Sequence, residues 1–257
     1  MVGHWPTGVQ HKWIMRVMEM NSSLDDGVSH QGRPKKSSPD VVVDAILSGI
    51  RSGRLVPGQR LVEADLTHSL QISRGPIREA LKRLAAEGIV TLNQNRGAYV
   101  RSLTREDVSD LLKVVEVVTG LVARLSAETM KKNKPLCGAF RQVSETLLSF
   151  EALGDTHAFM EARRAFWDVL IAACGNIELM RIMPLMQIHL LRLQFQTHLT
   201  AEDRRKQFQE YRAMIEAVLG NNPRRAERVT RIHIRRTRIS ISRLPSEAFS
   251  VGERGRD

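Results

Sequence analysis

The strongest constraint on the fold of this 257-residue chain is a helical pattern over residues 73–88, followed at once by two strand patterns. Ser73 suits an N-cap and Gly88 suits the end of the helix. Short apolar runs at 89–92 and 98–100 flank a turn-rich tip at 93–97, which predicts a β-hairpin. Five apolar residues share the spacing of one buried helix face: Ile77, Ala80, Leu81, Leu84 and Ala85.

A second face of the same predicted helix is basic. Arg74, Arg78 and Lys82 lie at i, i+4 and i+8. A short helix with one apolar face and one basic face fits the major groove of DNA. A solvated surface helix would show the same spacing, but two further helical patterns precede this one, at 41–51 and 63–70. With the hairpin and Arg96 at its tip, the pattern predicts a winged helix-turn-helix.

The rest of the chain divides by composition and periodicity into three further segments. Residues 1–40 are polar and basic near their end and predict a flexible arm. Residues 103–243 carry helical periodicity throughout and predict an all-α bundle of about six helices. Residues 244–257 form a C-terminal tail. The expected fold class is therefore mainly α, with a winged helix-turn-helix at 41–102 and a helical bundle after it.

Net charge and composition indicate which kind of partner the protein binds and in which cellular compartment it works. Thirty-nine Lys and Arg against 28 Asp and Glu give a net charge of +11, which favours an anionic partner such as double-stranded DNA. No apolar run approaches the roughly 18 residues of a membrane helix, so no membrane partner is expected. The N-terminus lacks the apolar segment of a signal peptide. Cys137 and Cys174 make neither a zinc pattern nor a disulfide framework, which favours a reduced, cytoplasmic setting.

Four stretches of residues 48–100 resemble the DNA-binding domain of the GntR family of transcriptional regulators. They are SGIRSGRLVPGQRL at 48–61, SRGPIREALKRL at 73–84, EGIV at 87–90 and RGAYV at 96–100. The resemblance implies base or phosphate contacts at Arg74, Gly75 and Arg78. It also implies that Arg96 and Gly97 of the wing reach the minor groove.

The helical segment resembles the FCD domain of the FadR-like subfamily, through the helix around Phe166 that ends in ACGN at 173–176 and through the closing helix. Many such domains hold a divalent metal with one Asp and three His. The resemblance places Arg163, Trp167 and Tyr211 at three of those positions, and His233 alone keeps its identity. Since imidazole and carboxylate are the ligands such a metal needs, we expect no metal and no other cofactor.

The residues at the altered positions suggest a different ligand. Arg163 and Trp167 lie at i, i+4 and share a helix face. Together with Tyr211 and His233 they would suit an anionic or aromatic small molecule, with an organic acid as the expected class. The alternative is that the rings only fill the vacated space while Arg163 pairs with an acid such as Glu210. The arginines of the last helix are likewise open to two interpretations. They form a solvated face, or they form a second surface that faces DNA or an acidic partner.

These observations together predict a transcriptional regulator and not an enzyme. We expect a homodimer on a near-palindromic operator, acting as a repressor whose DNA affinity a small-molecule effector controls. One alternative keeps DNA binding but has a ligand-blind C-terminal domain that only dimerises. Another is a basic helical enzyme, which would need clustered acid and base groups that the sequence does not contain.

Overall fold

The computed structural model describes residues 37–51, 53–93, 96–152, 157–183, 194, 195, 198 and 200–249. Among them, one compact unit contains residues between 37 and 111, 194 and 198, and 240 and 249, and the other contains residues between 112 and 183 and between 200 and 239. The predicted arm lies outside the described residues up to position 36. Its last residues are helical, because the first helix begins at Ser38 and not at Val41.

The first unit contains the winged helix-turn-helix. Its elements are α1 (Ser38–Arg51), β1 (Arg60–Leu61), α2 (Glu63–Leu70), α3 (Arg74–Ala86), β2 (Val90–Asn93) and β3 (Gly97–Val100). The strands form an antiparallel sheet in the order β1-β3-β2, with Val90 opposite Val100 and Arg60 opposite Tyr99. The predicted hairpin is therefore present, and β1 adds a third strand that the sequence patterns did not predict.

The core of this domain explains why the helices take these positions. Helix α3 packs on α1 and α2 through its apolar face. Ile77, Ala80, Leu81 and Leu84 are buried, as predicted from their spacing. Ala85, also predicted for this face, is only half-buried because it lies near the end of the helix. Ser73 occupies the N-cap position of α3 without a side-chain cap hydrogen bond, and Gly88 follows the helix with φ +68°. A positive φ favours glycine, so Gly88 ends the helix and turns the chain into β2.

The segment predicted as a six-helix bundle contains six helices within its described residues. They are α4 (Arg105–Met130), α5 (Lys134–Ser149), α6 (His157–Ala173), α7 (Ile177–Ile182), α8 (Ala201–Leu219) and α9 (Pro223–Ser242). The mainly α fold class is confirmed. In the described part of the chain, no helix is both long and apolar enough to cross a membrane.

Local sequence sets the starts of three of these helices. Asn133 accepts a hydrogen bond from the backbone N–H of Leu136, and Asn176 accepts two at the start of α7. Thr200 and Asp203 form a reciprocal capping box at the start of α8. These caps satisfy amide groups that have no partner within the helix, and so they fix where α5, α7 and α8 begin.

Candidate functional site

The basic face of α3 lies on the surface of the winged helix-turn-helix. Arg74, Arg78 and Lys82 are all exposed, whereas the apolar face of the helix is buried. Arg83, on the opposite side of the helix, pairs with Asp40 of α1 at 2.7 Å. Helix α3 therefore presents three cations to solvent on one side, and a third arginine, Arg83, ties its other side to the domain.

Arg78 is held by a contact within the domain. Its Nε donates a hydrogen bond to Oε2 of Glu63 on α2 at 2.8 Å, and 63% of its side chain remains exposed. The guanidinium group has four more N–H donors on its two Nη atoms. The contact with Glu63 thus orients the side chain while the group keeps enough donors for a bidentate contact with a base edge or a phosphate.

Gly75 is a glycine that the fold does not require. It is exposed in the first turn of α3, and a Cβ atom there would meet no other heavy atom within 4 Å. Since glycine costs helix stability relative to alanine, its presence fits a close approach of another molecule to the backbone. The amide groups at a helix N-terminus are suited to bind phosphate.

The backbone conformation explains the identity of one wing residue, Gly97, but not that of the other, Arg96. Gly97 starts β3 with φ +93°, a conformation that favours glycine, so the backbone itself explains its identity. Arg96 is exposed beside it, and its carbonyl accepts a hydrogen bond from Tyr99 Oη at 3.1 Å. Residues 94 and 95 at the tip lie outside the described part of the chain. Contacts of the α3 and wing residues with DNA stay a prediction.

The four residues singled out as an effector site come together inside the helical unit. Arg163 and Trp167 come from α6, Tyr211 from α8 and His233 from α9. The ring centroids of Tyr211 and His233 are 5.2 Å apart, and those of Trp167 and His233 are 6.5 Å apart and stacked. All four side chains are buried, with Tyr211 and His233 fully enclosed. We call this set the anion cluster.

Each member of the anion cluster carries a buried polar atom without a hydrogen-bond partner among the described residues. These atoms are Arg163 Nε, Trp167 Nε1, Tyr211 Oη and His233 Nε2. A buried polar group without a partner costs about 1–3 kcal/mol. Three of the four atoms carry a hydrogen that they can donate, so the cluster combines a positive charge with several donors in one place.

His233 contacts the carboxylate of Glu210, which also accepts a hydrogen bond from Arg236. Its Nδ1 lies 2.7 Å from Oε2 of Glu210, and Arg236 donates from Nε to Oε1 of Glu210 at 2.6 Å. Burial lowers the pKa of His233, and although Glu210 opposes this, the charges of Arg163 and Arg236 add to the decrease. His233 is therefore neutral near pH 7, and its Nδ1–H donates to Glu210.

Glu210 is ionised in this arrangement. Burial acts to raise its pKa, but hydrogen bonds from His233 and Arg236 outweigh burial, and the pKa is lowered overall. Both carboxylate oxygens thus have partners other than Arg163. The alternative in which Glu210 neutralises Arg163 finds no support in these contacts.

The residues of the cluster do not fit the divalent metal of related domains. His233 Nε2 is the one imidazole nitrogen there, and a cation bound to it would lie near the Arg163 guanidinium. Within the described residues, no group of three or more His, Cys, Asp and Glu is arranged to hold a metal ion. Trp167 offers no lone pair for a metal, and so the donor set does not suit a divalent cation.

Sequence patterns did not single out Thr230, whose buried hydroxyl also has no partner among the described residues. Thr230 precedes His233 by three residues, and helical spacing alone would have placed it on the same face. The position of Arg236 beside Glu210 could not be read from spacing, since it depends on how α8 and α9 pack.

Most arginines of α9 fall into two groups. Several pair with acidic residues: Arg225 with Glu216, Arg231 and Arg235 with Glu116, and Arg236 with Glu210. Arg224 and Arg228 are exposed. Much of the positive charge on this helix therefore joins α9 to α4 and α8, so the acidic partners of these arginines belong to the same chain.

Two family models match the chain. Residues 40–100 match "Bacterial regulatory proteins, gntR family", and residues 110–236 match the FCD domain. A "Probable D-xylose utilization operon transcriptional repressor" from Paenarthrobacter nicotinovorans is 25% identical over 214 residues, which cover 82% of this chain and 89% of that protein. The HTH-type transcriptional regulator BphR from Paraburkholderia xenovorans is 26% identical, with 81% and 86% covered.

Solved structures share the fold. A GntR transcriptional regulator from Rhodococcus sp. RHA1 has a TM-score of 0.68 at 20% identity and covers 82% of this chain and 100% of its own. E. coli McbR/YncC has a TM-score of 0.67 at 17% identity, with 81% and 98% covered. The two family models together span most of the chain in the order that the fold shows. The chain belongs to the GntR family of bacterial DNA-binding transcriptional regulators, with an FCD ligand-binding domain, and is not an enzyme.

Proposed function

We propose that this regulator is a homodimeric repressor that an anionic small molecule, an organic acid, controls by binding in the anion cluster without a metal ion. The observation that carries the proposal is that three buried donors without partners among the described residues, on Arg163, Trp167 and Tyr211, belong to one cluster beside His233. A carboxylate would accept hydrogen bonds from the Arg163 and Trp167 N–H groups and from the Tyr211 hydroxyl. The repressor assignment is supported by the name of the Paenarthrobacter relative.

The arrangement suggests how binding changes DNA affinity. The anion cluster takes residues from α6, α8 and α9, so a bound carboxylate would contact three helices at once. A ligand that binds one arrangement of these helices better than another shifts the population toward that arrangement. If the favoured arrangement spaces two recognition helices differently, the match to the operator half-sites is lost.

The test is a thermal-shift screen of the full chain against mono-, di- and tricarboxylates and against divalent metals. We expect a stabilising carboxylate, and we expect R163Q to lose its effect. R164Q is the matched control, because Arg164 is the next residue but pairs with Glu161 and Asp168 on the outer side of α6.

The operator is identified by selecting bound sequences from random duplex DNA with the wild-type protein. The stabilising acid should then lower operator affinity in wild type and R164Q but not in R163Q. If no acid stabilises the protein and DNA affinity is constant across the panel, the C-terminal domain is ligand-blind and only dimerises.

A further inference from the structure

The segment that follows the wing is fixed at both of its ends. Residues 101–104 connect β3 to α4, and we call them the linker. The backbone N–H of Arg101 donates to the carbonyl of Ile89, the residue before β2, at 2.9 Å. At the other end, Thr104 and Asp107 form a reciprocal capping box at the start of α4. The linker is therefore an ordered part of the fold.

A side-chain amide holds the middle of the linker. Leu103 is buried, and its backbone N–H donates to Oε1 of Gln194 at 2.8 Å. Nε2 of Gln194 donates to the Leu103 carbonyl at 2.9 Å and to the Ala248 carbonyl at 3.1 Å. Gln194 thus satisfies both backbone groups of Leu103 and also connects the linker to the C-terminal segment of the chain.

Arg105, the first residue of α4, contacts the same C-terminal segment. Its Nη1 donates to the carbonyl of Ser242, the last residue of α9, and its Nη2 donates to the Leu244 carbonyl at 2.8 Å. Its guanidinium carbon lies 4.2 Å from the centroid of the Phe249 ring, which is a cation–π contact. Phe249 also packs on Phe195, with ring centroids 5.0 Å apart. We call residues 242–249, together with Arg105 and Gln194, the clasp.

The clasp lies where two helices enter the unit that contains the winged helix-turn-helix. Both the linker and the clasp belong to that unit. Helices α4 and α9 each continue from it into the helical unit, and α9 also carries His233 of the anion cluster. The clasp joins the start of α4 to the end of α9. A flexible linker would absorb a movement of either helix, whereas a rigid linker transmits it.

We propose that Arg105 and Gln194 are positioning residues for operator binding. Through the clasp they keep the linker rigid and hold the winged helix-turn-helix at a fixed angle to the start of α4. Two recognition helices presented in this way can meet both half-sites of an operator without the entropic cost of ordering two flexible linkers. That consequence rests on the proposed homodimer, whereas the rigidity of the linker does not.

The chemistry of the contacts favours a positioning role over a purely stabilising one. Thr104 and Asp107 already cap α4, so the helix does not need Arg105 or Gln194 in order to begin. Both of these side chains bind backbone groups and therefore fix the path of the chain. Since a single hydrogen bond adds little to net stability, the main effect of the clasp is on the order of the linker.

The first test is hydrogen–deuterium exchange of residues 101–107 in the full-length variants R105Q and Q194A. We expect exchange at least 10-fold faster than in wild type, with little change in melting temperature. R105Q is the sharper variant, because Arg105 donates to carbonyls and so protects no amide of the linker directly. R243Q is the matched control, since Arg243 is an exposed arginine of the same segment whose side chain makes no hydrogen bond or ion pair within the described residues.

The second test compares binding to duplexes that carry the selected operator or one half-site. R105Q should bind the full operator at least 10-fold more weakly and the half-site with unchanged affinity, and R243Q should match wild type on both. If R105Q does not fold, R105K takes its place, because lysine keeps the charge but not the planar fork that reaches two carbonyls.

Unchanged exchange in R105Q overturns the proposal. An equal loss of affinity on both duplexes also overturns it, because Arg105 would then contact DNA or support the fold of the domain. If wild type binds the half-site as tightly as the full operator, the proposed homodimer fails, while faster exchange in the variants still supports a linker that the clasp keeps rigid.

Discussion

The Nε atom of Arg78 on the recognition helix lies 2.8 Å from Oε2 of Glu63 on the preceding helix. The pair joins the two helices of the helix-turn-helix at the surface expected to face DNA. An exposed ion pair of this kind contributes little to stability. The pair instead orients the Arg78 side chain. Because the guanidinium group is held through Nε, both of its Nη atoms point outward.

Replacing Arg78 by alanine should therefore weaken operator binding with little effect on folding. We expect a loss of about 1–3 kcal/mol in binding free energy, the range for a bidentate base contact. Fluorescence anisotropy with the selected operator measures it. R83A is the control, because Arg83 lies on the opposite side of α3 and pairs with Asp40. Wild-type affinity in R78A would mean that another element reads the bases.

Gly75→Ala should stabilise the folded protein and at the same time weaken its binding to DNA. A Cβ atom at Gly75 has open space within the protein, so alanine should raise the free energy of unfolding by up to about 1 kcal/mol. The same methyl group should obstruct the approach of DNA and lower operator affinity. Gly138 on α5 also has no neighbour within 4 Å, and G138A should gain stability without losing affinity. Equal affinities in both variants would exclude a close DNA contact at Gly75.

Tyr211→Phe should stabilise the ligand-free protein. It removes a fully buried hydroxyl that has no partner among the described residues, and relieving such a group is worth about 1–3 kcal/mol. Urea unfolding should show this gain, and the thermal shift from the stabilising acid should shrink. Y99F is the comparison, since the Tyr99 hydroxyl has a partner in the Arg96 carbonyl. A destabilised Y211F would show that the hydroxyl is satisfied in the free protein.

Chelation should change neither stability nor DNA affinity. Arg163 is a buried positive charge at the position where the family resemblance implies an acidic metal ligand, and burying a second cation beside it is costly. Protein treated with EDTA should keep the melting temperature and operator affinity of untreated protein. Elemental analysis should find no stoichiometric zinc, nickel or manganese. One bound ion per chain, removed together with stability by the chelator, would contradict the proposed anion site.

The stability of the helical domain should fall as the pH decreases below about 6.5. Burial lowers the pKa of His233 in the folded state, whereas the unfolded histidine titrates near 6.5. Below that pH the unfolded chain binds a proton that the folded chain does not, and so unfolding becomes more favourable. Between pH 7 and pH 5, wild type should lose more stability than H233Q, as measured by urea unfolding. Parallel curves would mean that folding does not change the pKa of His233.

The elements of the winged helix-turn-helix could be predicted because its signals are local. The spacing of Ile77, Leu81 and Leu84 fixes one face of α3, and Gly88 fixes its end, whatever the rest of the chain does. Strand β1 was missed because two residues carry no periodicity. It exists only because Arg60 and Leu61 pair with Tyr99 and Ala98 of β3.

The sequence by itself determined the helices, their caps and the basic face of α3, and the family resemblance led to the expectation that Arg163, Trp167 and Tyr211 stand at three metal-ligand positions. Helical period and residue chemistry suffice for these, since they act over one or two turns. Only the tertiary structure decided that Glu210 pairs with His233 and Arg236 and not with Arg163. The packing of the helices likewise decided which arginines of α9 form ion pairs. It also left Val117 of α4 exposed. Those outcomes depend on the distances between helices that are far apart in the chain, and no local pattern encodes such distances.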